Sequence, residues 1–205
     1  MGIGYEEAWL EVAAMERVRC FIAVDVDDPP ILSGLLSVQE EMARLGCDVK
    51  LVERENIHLT LRFLGEIPPG LVEEVKKALD KLSGEAFDMR LQGLGAFPTP
   101  ARPRVVWVGV AEGAEQLKAL HAQLNTLLKP LGFPPEKEAF VPHITLARVK
   151  SSRNLSSLAG LIRSLADRDF GVQRVEQVKL KRSVLTPKGP VYSDLHVKEL
   201  KGTSA

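Results

Sequence analysis

The chain has 205 residues, 45% hydrophobic and 26% charged, enough for one large domain or two small lobes around a buried core. Lysine plus arginine equals aspartate plus glutamate, 27 each, so no global basic field gathers nucleic acid non-specifically, although a local patch can still serve a nucleic-acid end. Two cysteines, Cys20 and Cys47, make neither a disulfide framework nor a metal motif, so a reduced, cytoplasmic setting is expected. The opening "MGIGYEEAWLEVAAMERVRC" has four glutamates before Val18 and no basic or continuously apolar segment, unlike a secretory signal. Met15 is a second possible start, and residues 1–14 read as a loose helical arm or an extension outside the fold. No run of about 18 apolar residues exists, so no membrane partner is expected.

"VRCFIAVDV" (18–26) is β-branched, short and bounded by Asp27-Asp28-Pro29-Pro30, and reads as a strand. Residues 31–46 put Ile31, Leu35, Val38, Met42 and Leu45 on one helical stripe that stops at Gly46. "VKLVERENIHLTLRFLG" reads as a hairpin-like strand region. A helix follows over 69–82, with Leu71, Val72, Val75, Leu79 and Leu82 on one face and Pro68-Pro69 at its start. Residues 87–97 return as a strand. The same order then repeats: strand 104–111, helix 114–132, the strand "FVPHITLARVK", a helix near 155–167 and a strand over 170–185. A last hairpin turns at Pro187-Lys188-Gly189-Pro190.

The repeat is anchored by two short motifs, His58-Leu59-Thr60-Leu61 and His143-Ile144-Thr145-Leu146, which lie 85 residues apart. That offset lands helix on helix and strand on strand, with one inserted residue at the second helices. The halves, 18–97 and 104–200, share no extended identity, which describes a diverged structural repeat and two lobes related by a pseudo-two-fold.

In a strand, residues two apart point the same way, so His58 and Thr60 share one face while Leu59 and Leu61 turn to the core. The same parity joins His143 to Thr145. Arg62, four residues after His58, falls on the His/Thr face. Two such faces opposed across a pseudo-two-fold make a cleft with two imidazoles, which exchange protons near neutral pH, and two hydroxyls and a guanidinium suited to phosphate oxygens. One acid and one base around an anion suffice for metal-free phosphoester transfer. Zinc is the weaker alternative, because neither motif carries a cysteine or carboxylate at ligand spacing. His121 and His196 lack a threonine two residues on and read as structural.

With these motifs the chain resembles the two-histidine phosphoesterase superfamily, and within it the RNA 2′,3′-cyclic phosphodiesterases, also called 2′-5′ RNA ligases. The resemblance runs from Val18 nearly to the end, through "RCFIAVDV", "HLTLRFLGE", "GAFPTPARPRVVWVGV", "PHITLARVK" and "RSVLTPKGPVY"; residues 1–17 lie outside it. It implies a single α+β domain over 18–201, bilobal, with two pseudo-symmetric antiparallel-sheet lobes, helices on the outer faces and a central V-shaped cleft. It implies hydrolysis of an RNA 2′,3′-cyclic phosphate to a 2′-phosphomonoester without metal or other cofactor, and in some members the joining of tRNA halves through a 2′-5′ bond. His58 would then be the proton donor and His143 the proton acceptor, with Thr60 and Thr145 on the phosphate oxygens. Phe63 and Arg148 belong to the same motif context as substrate contacts. Strand parity argues against both: Phe63 falls with Leu59 and Leu61 and is expected in the core, whereas Arg148 reaches the cleft only if a bulge or strand end turns it.

The partner expected is therefore an RNA end carrying a 2′,3′-cyclic phosphate, met by a monomer. "KLKRS" (179–183) with Lys150 reads as a patch for the RNA backbone, or else as a solvated strand face. Two other readings compete: an enzyme for another cyclic phosphate, such as a nucleotide or ADP-ribose derivative, and a non-catalytic binder of RNA ends. Intact histidines and threonines in both motifs count against the binder.

Overall fold

A computed structural model describes residues 17–202. The proposed N-terminal arm falls outside the described residues. Strand β1 (Val18–Asp25) leads through Asp28 into helix α1 (Pro29–Arg44). The Asp28 carboxylate accepts the Ile31 N–H at 3.0 Å and caps the helix, and Pro29 and Pro30 occupy first-turn positions that need no donor. The predicted stripe is the buried one, with Ile31, Leu35, Val38 and Met42 inaccessible. Strand β2 (Val49–Leu51), strand β3 (His58–Ile67), helix α2 (Pro69–Asp80) and strand β4 (Phe87–Thr99) complete the first half. The second half holds β5 (Arg102–Val110), α3 (Ala114–Leu128), β6 (His143–Val149), α4 (Leu155–Ser164), β7 (Asp169–Val175), β8 (Gln177–Thr186) and β9 (Gly189–Glu199).

The strands run in the order β7-β4-β5-β6-β3-β1-β8-β9, with β2 added to β6, and the named strands all pair antiparallel. The centre of the sheet is the β3–β6 contact, where Leu59 faces Ile144, both fully buried. The two motifs therefore meet back to back along the pseudo-two-fold, each strand sending its leucine or isoleucine into the core and its histidine to the other side. Truncating either central aliphatic to alanine would cost about 2–5 kcal/mol.

The 85-residue offset carries β1 onto β5, α1 onto α3, β3 onto β6, α2 onto α4, and β4 onto the end of β7 and most of β8. In space the halves interleave. The wing holding β3 takes β1 from the first half and β8 and β9 from the second, and the wing holding β6 takes β4 from the first half beside β5 and β7. Helix α1 packs on β6 and β7, and α3 on β3, so each helix crosses to the partner wing.

Two sequence expectations change. The strand expected over 170–185 is two strands broken at Glu176, β7 pairing with β4 and β8 with β1. No glycine or proline stands at the break to mark it in the sequence. The segment around the first motif is not a hairpin, because β2 pairs with β6 across the sheet centre instead of with β3.

Candidate active site

Both motif histidines open onto one cavity of about 1210 Å³ that takes residues from both wings, among them Thr60 and Thr145. Each imidazole is half-buried, and each is fixed in the same way. His58 Nδ1 lies 2.7 Å from the Asn56 carbonyl, and His143 Nδ1 lies 2.7 Å from the Val141 carbonyl. A carbonyl can only accept, so each Nδ1 carries the hydrogen and each neutral ring presents an unprotonated Nε2. His58 Nε2 is 2.9 Å from Thr60 Oγ1, which puts the first motif's histidine and hydroxyl in direct contact. Thr145 is opposite Trp107 in the β5–β6 register and lines the same cavity.

Aromatic rings hold the imidazoles in place. Phe21 lies 4.9 Å from the His58 ring and Tyr192 meets it edge-on at 5.5 Å. Phe97 meets His143 edge-on at 5.0 Å, with Trp107 behind at 6.1 Å. Gly95 makes this possible, since a Cβ there would sit 2.3 Å from the Trp107 ring. None of these rings stands out in the sequence as a site residue. Tyr192 comes from the last strand, and only the tertiary pairing of β8 with β1 brings it near His58.

Burial pushes the pKa of both histidines below the usual value, opposed in each by the carbonyl bond. Their charged neighbours differ. Asp25, opposite His58 in the β1–β3 register, favours its protonated form, although Lys181 and His143 act against it. Arg148 disfavours a proton on His143. Asp25 is itself half-buried, which raises its carboxyl, but hydrogen bonds from Lys179 at 2.8 Å and Lys181 at 2.7 Å outweigh that and keep it below the ordinary carboxylate range.

Parity along each motif strand fails after the threonine, and in the same place in both. Ala23 pairs with Thr60 but Ile22 pairs with Arg62, so Leu61 is an extra residue on β3. Trp107 pairs with Thr145 but Val106 pairs with Ala147, so Leu146 is extra on β6. Each bulge reverses the facing of the residues after it. Phe63, expected in the core, is instead 61% exposed and lines the cavity beside Phe21. Arg148 is turned to the cavity face by the bulge, opposite Val105.

Arg62 moves the other way. It shares the face of Ile22, is 5% exposed, pairs with Glu136 at 2.9 Å and donates to the Pro134 carbonyl. Glu136 also accepts from His121 Nε2 at 2.9 Å, and the His121 ring stacks on Phe140 at 4.3 Å. Arg62 thus secures the segment before β6, and it borders the cavity together with Glu136 from the opposite strand face to His58 and Thr60. Within the "KLKRS" segment Lys179 and Lys181 are both tied to Asp25 and Asp194, while Arg182, like Lys150, is exposed. His196 bonds Asp80 at 2.7 Å, away from the cavity.

The antiparallel sheet thus offers two equivalent His/Thr pairs to one cavity, an arrangement chemically able to give a proton from one imidazole and take one with the other. Residues 36–183 match the model of the 2′-5′ RNA ligase superfamily. Two proteins described as RNA 2′,3′-cyclic phosphodiesterases are similar along almost their whole length: one from Aeropyrum pernix, 43% identical over 85% of this chain and 98% of its own, and one from Methanothermobacter thermautotrophicus, 40% identical over 88% and 98%. Among solved structures, a protein of Thermus thermophilus superposes with a TM-score of 0.75 at 30% identity, covering 91% of this chain and all of its own. E. coli LigT in complex with 3′-AMP shares the fold at a TM-score of 0.72 and 22% identity, over 90% of this chain and 99% of its own. The chain belongs to the 2′-5′ RNA ligase superfamily. Among the described residues no helix is long and apolar enough to cross a membrane.

Proposed function

We propose that the protein is an RNA 2′,3′-cyclic phosphodiesterase that opens the cyclic phosphate at an RNA 3′ end to a 2′-phosphomonoester, with His58 as acid and His143 as base. The observation that carries the reading is the shared fixing of both imidazoles, each Nδ1 spent on a carbonyl two residues upstream and each Nε2 left for the cavity. The similarity to the named phosphodiesterases supplies the substrate class.

In this mechanism neutral His143 Nε2 takes a proton from water as the oxygen attacks phosphorus. The P–O3′ bond breaks, and protonated His58 gives its Nε2 proton to the leaving O3′. The net reaction adds one water and leaves a 3′-hydroxyl and a 2′-phosphate, and the two rings have exchanged protonation states. Asp25 beside His58 and Arg148 beside His143 favour this assignment over its mirror image. Thr60 and Thr145 donate to the non-bridging oxygens, and Phe63 and Arg148 contact the rest of the nucleotide. Both His/Thr pairs come from one chain, so a monomer suffices. RNA fragments with cyclic ends, tRNA halves among them, are the substrate class, and joining them through a 2′-5′ bond is the same displacement of O3′ with the 5′-hydroxyl of a second fragment in place of water.

The test is incubation of the purified protein with RNA ending in a 2′,3′-cyclic phosphate, the product isomer being read by 31P NMR. A 2′-phosphate is expected; a 3′-phosphate, or an intact cyclic end, overturns the reading.

A further inference from the structure

An RNA substrate continues beyond its terminal nucleotide, and the strand must leave the cavity by some route. Resting on the phosphodiesterase reading, we propose that the upstream strand leaves on the His143 side, through a second groove lined by Arg102, Arg104 and Lys150, and that this groove binds its phosphates.

The groove has a volume of about 1250 Å³ and lies at the outer end of the β4–β5 hairpin. It is continuous with the catalytic cavity, because Phe97, Val105, Glu138 and Lys150 line both. Phe97 is the ring that meets His143 at 5.0 Å, so the groove begins beside the base. Its walls carry three cations against one carboxylate, Glu138. Arg102, Arg104 and Lys150 are exposed, and among the described residues none of their side chains has a hydrogen-bond or ion-pair partner. Many cations elsewhere are neutralised, including Lys76, Arg90 and Lys118.

A second observation points to an anion at the mouth of this route. Lys50 on β2 is directly opposite Arg148 on β6, and both line the cavity. Like charges facing each other across a strand pair are unfavourable unless something of opposite charge lies between or beside them. A phosphodiester backbone running from the cavity past Lys50 and Lys150 to Arg104 and Arg102 supplies that charge repeatedly.

The opposite exit is built differently. The end of β8 and the start of β9 expose Val184, Leu185 and Val191, at 44%, 65% and 57%. Lys188, in the turn between them, is exposed, whereas Lys179 and Lys181 farther along β8 are bound to Asp25 and Asp194. The groove beside His143 therefore gathers three cations, whereas the β8–β9 end carries mostly exposed aliphatic side chains around Lys188, and this difference gives the bound strand a direction.

The test compares wild type with the double variant Arg102→Gln/Arg104→Gln, whose two residues line the second groove only. Two substrates are used: adenosine 2′,3′-cyclic phosphate and an RNA octamer ending in a 2′,3′-cyclic phosphate. The variant is expected to leave the mononucleotide kcat/KM within twofold and to lower that of the octamer about tenfold. The octamer's log–log salt slope should fall by about 1.4, since each phosphate of a single strand that an arginine no longer neutralises removes roughly 0.7. Fluorescence anisotropy with the same octamer ending in a 2′-phosphate reads the groove without turnover, and there the variant should bind about tenfold more weakly. Equal anisotropy affinity and equal salt slopes for the two proteins overturn the groove, whatever the turnover. Wild type that binds the octamer through these arginines yet opens neither cyclic phosphate overturns the phosphodiesterase reading and leaves the groove standing.

Discussion

His58 and His143, 85 residues apart, make the same hydrogen bond: each Nδ1 is 2.7 Å from the carbonyl two residues before it, Asn56 in one case and Val141 in the other. A bond repeated across a diverged duplication fixes both rings in one tautomer and directs both Nε2 atoms to the cavity. His58→Ala and His143→Ala should each lower kcat by about 10²–10⁴-fold, the usual scale of positioned acid–base assistance. Both rings stand at the cavity and not in the core, so thermal melting followed by circular dichroism should change little. Near-normal turnover in either variant would remove the mechanism.

Thr60→Val and Thr145→Val test the phosphate contacts. Each substitution keeps the shape and deletes one donor to a charged group, a loss of about 1.5–3 kcal/mol, or roughly 10–150-fold in kcat/KM. Thr60 also touches His58 Nε2 at 2.9 Å, so its variant should additionally change the pH profile, whereas Thr145→Val should not. Steady-state kinetics at several pH values separates the two, and identical profiles would show that the Thr60–His58 contact has no influence on proton transfer.

The pair of motifs, the helix stripes and the 85-residue offset were legible because period and repetition are properties of the sequence itself. Element positions followed from them, down to the turn after Thr186. The facing of Arg62, Phe63 and Arg148 was not legible in the same way. Strand parity is reliable only while the partner strand advances one residue for one, and the extra Leu61 and Leu146 break that count. Both are leucines in an apolar alternation, with no glycine to mark the bulge. The repeat held the missing clue, since Phe63 and Arg148 are equivalent positions and a charged residue at one argued that neither is core. The neutralisation of Lys179 and Lys181 depends on Asp25 and Asp194 from other strands, which local reading cannot supply.

Arg62 is the residue most changed by the structure, and its partner gives a stability prediction. Glu136→Ala leaves a 5% exposed guanidinium without its carboxylate and takes from His121 its Nε2 partner. Breaking a buried ion pair from one side costs about 3–5 kcal/mol, and the partial exposure of Glu136 places the expected loss toward the lower end of that range. The segment it secures ends at Val141, whose carbonyl orients His143, so kcat should fall as well. Urea denaturation gives the first effect. The 15N shifts of the His143 ring give the second, and a variant whose His143 tautomer and kcat both match wild type would limit Glu136 to a stabilising role.

The pH dependence follows from the two imidazoles together. In the proposed mechanism turnover requires His58 protonated and His143 neutral, so kcat/KM should trace a bell as one proton is distributed over the pair. Protonation of His143 sets the acid limb and loss of the His58 proton sets the alkaline limb, although a coupled pair reports joint values. Burial lowers both pKa values, so both limbs shift to the acid side and the optimum for kcat/KM is expected below the reference histidine value of about 6.5. Bound substrate brings a phosphate against His58 and favours its charged form, so the alkaline limb of kcat should lie at higher pH than that of kcat/KM. A metal-bound hydroxide behaves differently, giving a rate that rises to a plateau and is lost to chelators. Among the described residues no group of three or more His, Cys, Asp or Glu is placed to hold a metal ion. Rate profiles measured from pH 4.5 to 9 (on the order of two units either side of the reference histidine value), with and without EDTA, decide between the two. A bell that EDTA leaves unchanged supports the histidine pair, and a plateau abolished by EDTA removes it.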